Sequence, residues 1–471
     1  MHQKNTEVLQ EVLEKIVPKK KEKEKMKKIA TSLERKVSLA CEEFNVEAII
    51  RLEGSIAKNT WLSGDPDIDV FMRLPTTVPR KALDEIGLKV ARKATEGLKQ
   101  IERFAEHPYL EAFLDGVRLN IVPCYNAIPG QWLSATDRTP FHTDYINEHM
   151  NPKMNDEVRL LKKFMKGINV YGAEIRVGGF SGYLCELLTL HYESFNSVLQ
   201  AFAQHIPKRT VDIEGYYNQR EREIELLFPE SLVIIDPVDK RRNVASAVQP
   251  EKLYTFVAAS RAFLKMPCEE FFYPPKTIAL SAGALSQKIE KHGASIIFLT
   301  FKGVKAIPDV LWGQIYRTKR SLRKLLELND FKVLRDAVWN EEEKDTILVF
   351  EIEQITLPIV KKHPGPPLGH EKECESFLSK YMNNKKVIAG PYIEDNRWIV
   401  QIPRKYTNAT ELLKTKLKTG GRDIGVPELI SKVLCKELKV LEGNQIKPIY
   451  LKNQDFSEFL TDFLSGHPFW L

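Results

Sequence analysis

Two aspartates one residue apart, preceded by a glycine–serine pair, give this sequence its clearest chemical signal. Asp67 and Asp69 lie in a stretch where acidic and apolar residues alternate, so a strand there would direct both carboxylates to one face. Paired carboxylates supply the hard oxygen ligands that divalent cations take, and the turn at Gly54 and Ser55 can offer N–H groups and a hydroxyl to a triphosphate. Such a strand is often only a solvated surface, but the Gly-Ser pair favours a metal-dependent nucleotidyl transfer site.

Hydrophobic periodicity predicts the elements that would position these residues. The apolar run 48–52 predicts a strand that ends at the Gly-Ser turn, and residues 77–101 predict a helix. Residues 109–122 alternate on both sides of the Asp-Gly pair at 115–116, which predicts a hairpin with a two-residue turn. The two aspartates would therefore lie on a sheet built from the first 125 or so residues.

The pattern of predicted secondary structure changes twice along the rest of the chain. Residues 156–264 are mostly helical in pattern, and Pro274-Pro275 is a plausible boundary. Between 294 and 402 the order of predicted elements is β-α-β-β-α-β, which is typical of a ferredoxin-like unit. The tail, residues 410–471, predicts mixed helix.

Length and composition limit the class of protein. The chain has 471 residues, of which 43% are hydrophobic and 28% charged, which suits about three globular domains and excludes a mainly disordered chain. The net charge of +7 is compatible with a polyanionic partner. Six dispersed cysteines without a CxxC pair argue against a zinc module or a disulfide framework. No leader or membrane-spanning run is expected, so we predict a cytoplasmic protein without a membrane partner.

Several segments together resemble the polymerase-β-type nucleotidyltransferases, and more narrowly the archaeal CCA-adding enzymes (class I tRNA nucleotidyltransferases). The likeness is dense between about 45 and 250 and weaker beyond. The segments that carry it are residues 54–62, 67–71, 105–109, 121–125, 137–142, 159–162, 170–174, 180–188, 236–239 and 242–245.

The resemblance implies a fold and a division into domains. It implies an α+β multidomain protein with a polymerase-β-type head (a mixed sheet with helices), a helical central domain and a ferredoxin-like body with a tail. The expected domains are a catalytic head at 1–148, a nucleotide-selecting central domain at 149–272, a tRNA-binding body at 273–405 and a helical tail at 406–471. A homodimer is expected from the resemblance alone.

The resemblance also implies a reaction and a set of residues. The enzyme would add C, C and A to the 3′ end of tRNA from CTP and ATP with Mg²⁺ and no nucleic-acid template. Asp67 and Asp69 would be catalytic metal ligands. The nucleotide would be held or selected by Gly54, Ser55, Arg138, His142, Lys162, Tyr171, Arg242 and Asn243, with His107 as a further candidate.

Each of these residues also has a structural interpretation. Lys162 precedes another lysine and would be solvated on a plain helix, whereas Tyr171 and His142 would be ordinary packing residues. Arg138 would form a loop salt bridge, and Arg242 would belong to a basic patch on tRNA phosphates.

One position departs from the family pattern. The family carries a third carboxylate on the strand that ends in Val-Pro-Cys-Tyr, and here that position is Asn120. Asn offers a neutral carbonyl oxygen and cannot act as a base. Arg118 has the same strand parity and would add a positive charge to the same face. The enzyme would then work with two carboxylates, recruit a nearby acid such as Asp65 or Glu53, or bind tRNA without chemistry.

Basic segments elsewhere predict RNA contact or a solvated surface. They are lysines between 19 and 28, the predicted helix with Arg317, Lys319, Arg320, Arg323 and Lys324, the segment 404–406, and Lys414, Lys416 and Lys418. The rival hypotheses are a non-catalytic tRNA-binding protein and a polymerase-β-type enzyme that adenylates another RNA or a small molecule.

Overall fold

The computed structural model describes residues 2–104, 107–204, 207–341 and 344–471, and these form two compact units. Unit 1 comprises Met1–Pro275 with Pro468–Leu471, and unit 2 comprises Lys276–His467. Residues 105 and 106 of the sequence motif at 105–109 lie outside the described residues. The finer division into four domains stays a prediction.

The N-terminal part of unit 1 is a five-stranded sheet with helices on one face. Its elements are α1 (His2–Ile16), α2 (Lys20–Glu43), β1 (Ile49–Glu53), α3 (Gly54–Ala57), β2 (Asp67–Leu74), α4 (Arg80–Ala94), β3 (Lys99–Phe104), β4 (Pro108–Leu114) and β5 (Val117–Tyr125). The strand order is β1-β2-β5-β4-β3, with β2 and β5 parallel and the other neighbours antiparallel.

Strand alternation sorts this sheet into a core face and an open face. Ile68 and Val70 of β2 and Leu119 and Ile121 of β5 are buried in one cluster with apolar residues of α2 and α4. The side chains between them, including those of the two aspartates, therefore lie on the opposite face. The shared face of Asp67 and Asp69 predicted from the sequence is confirmed.

Two local predictions near this sheet had opposite outcomes. The hairpin turn is confirmed, because Asp115 and Gly116 have φ of 50° and 79°, the left-handed values that a two-residue turn needs. The helix predicted over 77–101 is wrong at its C-terminal end. The helix stops at Ala94, the chain turns at Gly97 with φ of 83°, and residues from Lys99 onward form β3.

The remainder of unit 1 is a helical bundle with a small sheet. It contains α5 (Thr139–His149), α6 (Met154–Gly167), α7 (Gly182–Tyr192), α8 (Phe195–Ala203), β6 (Arg209–Val211), α9 (Glu221–Leu227), β7 (Leu232–Asp236), β8 (Asp239–Asn243) and α10 (Pro250–Lys265). The fully buried ring of Phe164 contacts the rings of five other phenylalanines. The sheet β6-β7-β8 was not expected in a segment whose pattern is mostly helical.

Unit 2 contains two separate sheets and the helices that cover them. Its elements are α11 (Ala282–Lys291), β9 (Ser295–Lys302), α12 (Pro308–Leu328), β10 (Val333–Glu341), β11 (Asp345–Ile352), β12 (Val360–Pro367), α13 (Glu371–Tyr381), β13 (Ala389–Glu394), β14 (Arg397–Pro403), α14 (Ala409–Leu417), α15 (Glu428–Glu437), β15 (Lys439–Glu442), α16 (Lys447–Tyr450) and α17 (Gln454–Ser465).

The prediction of a single ferredoxin-like unit in this half is wrong, although every predicted element exists. The strands β9, β10 and β11 form a sheet with β15 in the order β10-β11-β9-β15, whereas β14 pairs with β12 and β13 in another sheet. The tail supplies β15 to the first sheet, and α14 and α15 pack in its core. The tail is therefore part of the core of unit 2. None of the described helices is long and apolar enough to cross a lipid bilayer.

Candidate functional site

The open face of the unit 1 sheet brings the predicted catalytic residues into one row. Asp69 lies opposite Asn120 in the parallel pairing of β2 with β5, and Asp67 lies opposite Arg118. The amide nitrogen of Asn120 donates to Asp69 Oδ1 at 2.8 Å. Arg118 donates from Nε to Asp67 Oδ1 at 2.8 Å and from a terminal nitrogen to Oδ2. Each aspartate thus accepts hydrogen bonds from the β5 residue opposite it: Asp69 from Asn120, and Asp67 from Arg118.

Gly54 is required where it stands because α3 begins against Asp69. Its φ is +72°, and a Cβ atom there would lie 2.0 Å from Asp69 Oδ2. Any larger residue would push this carboxylate away or unwind the turn. Ser55 follows in α3, and its carbonyl accepts a hydrogen bond from the Thr60 amide at 2.9 Å. The Gly-Ser turn and β2 are therefore in direct contact.

The oxygen atoms at this position fit a divalent cation. Burial raises the pKa of Asp69, and the nearby charge of Asp67 adds to this, while the hydrogen bond from Asn120 opposes it. The Oδ1 atom of Asn120 is buried without a hydrogen-bond partner. Two carboxylates and one orphaned amide oxygen are hard ligands. Among the residues that the structure describes, no group of three His, Cys, Asp or Glu side chains could hold a metal.

Near Asp69, where the charge of Lys58 opposes the rise in pKa that burial causes, lies a buried group that we call the lysine cluster: Lys58, Thr60, Lys162 and Glu186. Lys162 donates to Thr60 Oγ1 and to Glu186 Oε1, both at 2.9 Å, and Thr60 donates to the same oxygen at 2.6 Å. Lys58 donates to the other oxygen of Glu186. All four side chains are at most 9% exposed. Two lysines against one glutamate leave this cluster one positive charge in excess.

Each charge in the lysine cluster stabilises the charged form of its neighbours. Burial would raise the pKa of Glu186, but the charges of Lys162 and Lys58 outweigh it and hold this pKa at about 2. Burial lowers the pKa of Lys162, and the charge of Glu186 opposes that. Glu186 thus keeps two lysines in place at a buried position, where unpaired ammonium groups would be costly.

Tyr171 and Arg159 lie around this cluster. A Cβ atom at Gly182 would be 3.0 Å from the Tyr171 hydroxyl and 3.5 Å from Lys162 Nζ, so both groups lie against this glycine. Arg159 is buried and donates to the carbonyls of Asn59 and Trp61. It fixes the loop that carries Lys58 and Thr60.

A second network, the Asp236 cluster, comprises Asp236, His142, Tyr183 and Arg242. The buried carboxylate of Asp236 contacts His142 Nε2 at 3.0 Å and accepts from Arg242 at 2.6 Å and from the Tyr183 hydroxyl at 3.2 Å. Burial opposes ionisation of Asp236, but its hydrogen bond with His142 and the charge of Arg242 lower its pKa to about 2. Burial lowers the pKa of His142. Arg242 is 37% exposed, so its guanidinium also faces solvent.

Tyr183 joins the two groups into one site. Its ring stacks on His142, with centroids 4.0 Å apart, and Lys58 Nζ lies 5.5 Å from its centroid on the side of the lysine cluster. Tyr183 therefore links the lysine cluster to the Asp236 cluster within unit 1.

In the part of the chain that the structure describes, three of the predicted site residues do not contact the carboxylates, the lysine cluster or the Asp236 cluster through the hydrogen bonds that their side chains form. Arg138 donates to Asp239 at 2.8 Å, which is the loop salt bridge that its structural interpretation describes. The side-chain amide of Asn243 donates to the carbonyl of Leu232 and accepts from the N–H groups of Ile234 and Ala245. These bonds stabilise the β7–β8 pair. His107 bonds Asp84 at 2.7 Å, and Asp84 belongs to α4 on the core face of the sheet. Their predicted roles at the nucleotide stay predictions.

Of the two acids considered as replacements for the missing carboxylate, Glu53 lies opposite Asp69 in the β1–β2 pairing, and Asp65 is paired elsewhere. Glu53 is fully buried, lies 3.0 Å from Arg51, and has a pKa raised by burial. Asp65 forms an ion pair with Lys166.

Sequence reasoning missed Lys58, Glu186 and Asp236 as members of the site. A signal existed for the two acids, because each is a single charge within an apolar run, at 184–188 and 232–236. A charge that is buried among apolar neighbours requires a partner. Lys58 gave only a weak signal, three residues after Ser55.

The chain is similar to known proteins along nearly its whole length. Family models match in sequence along the chain: a nucleotidyltransferase domain at residues 26–142, the second domain of tRNA nucleotidyltransferase at 156–273, and the C-terminal domain of CCA-adding enzyme at 292–443. The chain is 39% identical to the CCA-adding enzyme of Methanosarcina barkeri, over 96% of this chain and 97% of that protein. It is 37% identical to the CCA-adding enzyme of Methanothermobacter thermautotrophicus, over 88% and 90% respectively.

Proposed function

Because this chain belongs to the family of CCA-adding enzymes, we propose that it adds C, C and A to the 3′ end of tRNA from CTP and ATP. The 3′-hydroxyl of the RNA attacks the α-phosphate of the nucleotide, a phosphodiester bond forms, and pyrophosphate leaves. The observation that carries the proposal is the lysine cluster, with its excess positive charge, near two carboxylates on one strand, where the charge of Lys58 acts on Asp69.

The lysine cluster suits a triphosphate. Lys58 and Lys162 present ammonium groups that attract phosphate oxygens as point charges, and Glu186 holds them in position before the nucleotide arrives. The Tyr171 hydroxyl lies beside Lys162 at Gly182 and would donate to the same group. Preorganised charges of this kind stabilise the departing pyrophosphate without rearrangement.

The carboxylate row suits a divalent cation, which we propose to be Mg²⁺. Asp67, Asp69 and Asn120 Oδ1 would hold the ion, which when bound would polarise the α-phosphate and increase the acidity of the 3′-hydroxyl. Asn120 cannot accept the hydroxyl proton, so the chain's own candidates for that proton are the two aspartates. Activity with two carboxylates is therefore the account that we favour.

We assign recognition of the base to the Asp236 cluster. Asp236 holds His142 and Arg242 at fixed positions, and Arg242 has donors left that face solvent. A guanidinium with a fixed orientation can donate to the carbonyl and ring nitrogen of cytosine or to ring nitrogens of adenine. The alternative role of Arg242 is contact with tRNA phosphates.

The basic helix of unit 2 supports a tRNA partner, but with fewer free charges than its sequence predicts. Lys319 and Arg323 of α12 pair with Asp336. Arg317, Arg320 and Lys324 are exposed. Exposed basic residues on a helix recognise RNA by shape through its phosphates.

The test is a primer-extension assay on a tRNA that lacks its last three nucleotides. With Mg²⁺, CTP and ATP, we expect two C residues and one A, after which extension stops, and the double variant Asp67→Asn/Asp69→Asn should add nothing. Absence of incorporation by the unaltered protein at any concentration would leave the non-catalytic alternative, which predicts salt-dependent tRNA binding without nucleotide binding. Extension of unrelated RNA ends with equal efficiency would favour the third hypothesis.

A further inference from the structure

We propose that Arg118 is a built-in competitor of the catalytic metal: its guanidinium occupies Asp67 when no metal is bound, and a divalent cation must displace it. Arg118 thereby sets the metal concentration that the site requires. The inference rests on the proposed function only in taking Asp67 and Asp69 as the metal-binding pair.

The geometry of the pair supports competition. Arg118 lies opposite Asp67 in the β2–β5 register and donates to both carboxylate oxygens, one bond measuring 2.8 Å. These two oxygens are the ones through which Asp67 would bind a cation. A two-bond contact between guanidinium and carboxylate is the strongest form of such a pair, so the metal and the guanidinium cannot both use Asp67 in this way.

The exposure of the pair makes displacement possible. The side chain of Arg118 is 43% exposed and that of Asp67 is 32% exposed. A long arginine side chain at a half-exposed position can move into solvent or toward the phosphates without leaving a buried charge behind. Lys58 and Lys162, in contrast, are at most 9% exposed and are held by Glu186.

The charge balance at this position explains why the competition matters. Two aspartates and one arginine give the row a net charge of −1, and Asn120 adds no charge where the family has a carboxylate. A site with so little negative charge binds Mg²⁺ weakly before the nucleotide arrives, so even a modest competitor changes its occupancy. An exposed ion pair is strong enough to weaken metal binding about threefold to tenfold.

The sheet provides a matched control. Arg103 of β3 donates from Nε to Glu111 Oε2 of β4 at 2.7 Å, and Glu111 lies opposite Asn120. Arg103→Gln removes the same charge from the same sheet, but from a carboxylate on β4, two strands away from the aspartates of β2.

The experiment is a titration with Mn²⁺, a paramagnetic substitute for Mg²⁺, followed by electron paramagnetic resonance without RNA or nucleotide. Arg118→Gln should bind Mn²⁺ about threefold to tenfold more tightly than the unaltered protein, and Arg103→Gln should change the affinity by less than about twofold. Arg118→Lys should give an intermediate affinity, since it keeps the charge but loses the second bond. Equal or weaker binding in Arg118→Gln overturns the proposal, as does absence of Mn²⁺ binding in every variant.

Chemical rescue provides a second measurement. In Arg118→Ala, free guanidinium at millimolar concentration should weaken Mn²⁺ binding, whereas the same addition to the unaltered protein should have little effect. No effect of guanidinium on Arg118→Ala contradicts the competition. Thermal unfolding of each variant without metal shows whether it is folded. Because neither titration measures nucleotide addition, their outcome is separate from that of the primer-extension assay.

Discussion

The two charged halves of the site are built on opposite principles. The carboxylate row is half-exposed, has a neutral amide at Asn120 and includes an arginine paired with one of its aspartates. The lysine cluster is buried, and its ammonium groups are held by Glu186 and Thr60. The side that we propose for phosphate is thus buried and internally paired, and the side that we propose for metal is half-exposed. Since a fixed buried charge network is costly to assemble, its presence favours a protein that binds nucleotide over one that binds only tRNA.

The strongest test of this comparison is removal of the central carboxylate. Asp69→Asn should lower nucleotide incorporation at least about 1000-fold, or roughly 4 kcal/mol in activation free energy, because Asp69 is the carboxylate that contacts both Gly54 and Asn120. Single-turnover extension with saturating tRNA measures the effect. Asp115→Asn makes the same change at the β4–β5 turn, where Asn tolerates the left-handed conformation, and should keep full activity. A loss of less than tenfold in Asp69→Asn would mean that the row is not the metal site.

The lysine cluster should make the free energy of unfolding depend on pH. The pKa of Glu186 is about 2 in the folded protein and near 4.5 in the unfolded chain. Its ionisation therefore stabilises the fold above about pH 4.5, and this stabilisation is lost as the pH falls toward 2. Glu186→Gln should be less stable than the unaltered protein by about 3 kcal/mol at pH 7, and the gap should shrink between pH 4.5 and 2.

Urea unfolding followed by a probe in unit 1 measures this gap at each pH. Glu269→Gln is the control, because Glu269 pairs with Lys15 at the surface and should contribute less than about 1 kcal/mol at any pH. A gap that stays constant from pH 7 to pH 2.5 would show that the charge of Glu186 does not stabilise the cluster.

The role of the cluster in substrate binding is separable from its role in stability. Lys162→Met should raise the KM for CTP and ATP about 30-fold, near 2 kcal/mol, because a buried charged donor to the triphosphate is lost. Glu186 keeps Lys58 as a partner, so the fold should persist. The adjacent Lys163 lies over the Tyr273 ring at 4.0 Å, and Lys163→Met should leave the KM within about twofold. An equal rise in the KM for tRNA would point to a structural effect.

The division between what the sequence predicted and what it did not follows the range of the interactions. The shared face of Asp67 and Asp69 and the Asp-Gly turn depend on a few adjacent residues, and both predictions are confirmed. The lysine cluster joins positions 58, 60, 162 and 186, which are brought together only by folding. The ferredoxin-like prediction was wrong for the same reason: the elements were identified correctly, but the pairing of β14 with β12 is non-local.

The smallest expected effect is that of Asn120→Asp on turnover, which tests whether the carboxylate row works better with a third carboxylate. Asn120→Asp should raise turnover about tenfold at limiting Mg²⁺, since a third carboxylate binds the ion more tightly and can accept the hydroxyl proton. The new carboxylate also replaces the amide that donates to Asp69, so the variant should melt at a lower temperature without metal and recover with it. Asn126→Asp, an exposed position just beyond β5, controls for added charge. Unchanged or lower turnover would mean that Asn120 and Arg118 work as an adapted pair, with a carboxylate no longer useful beside them.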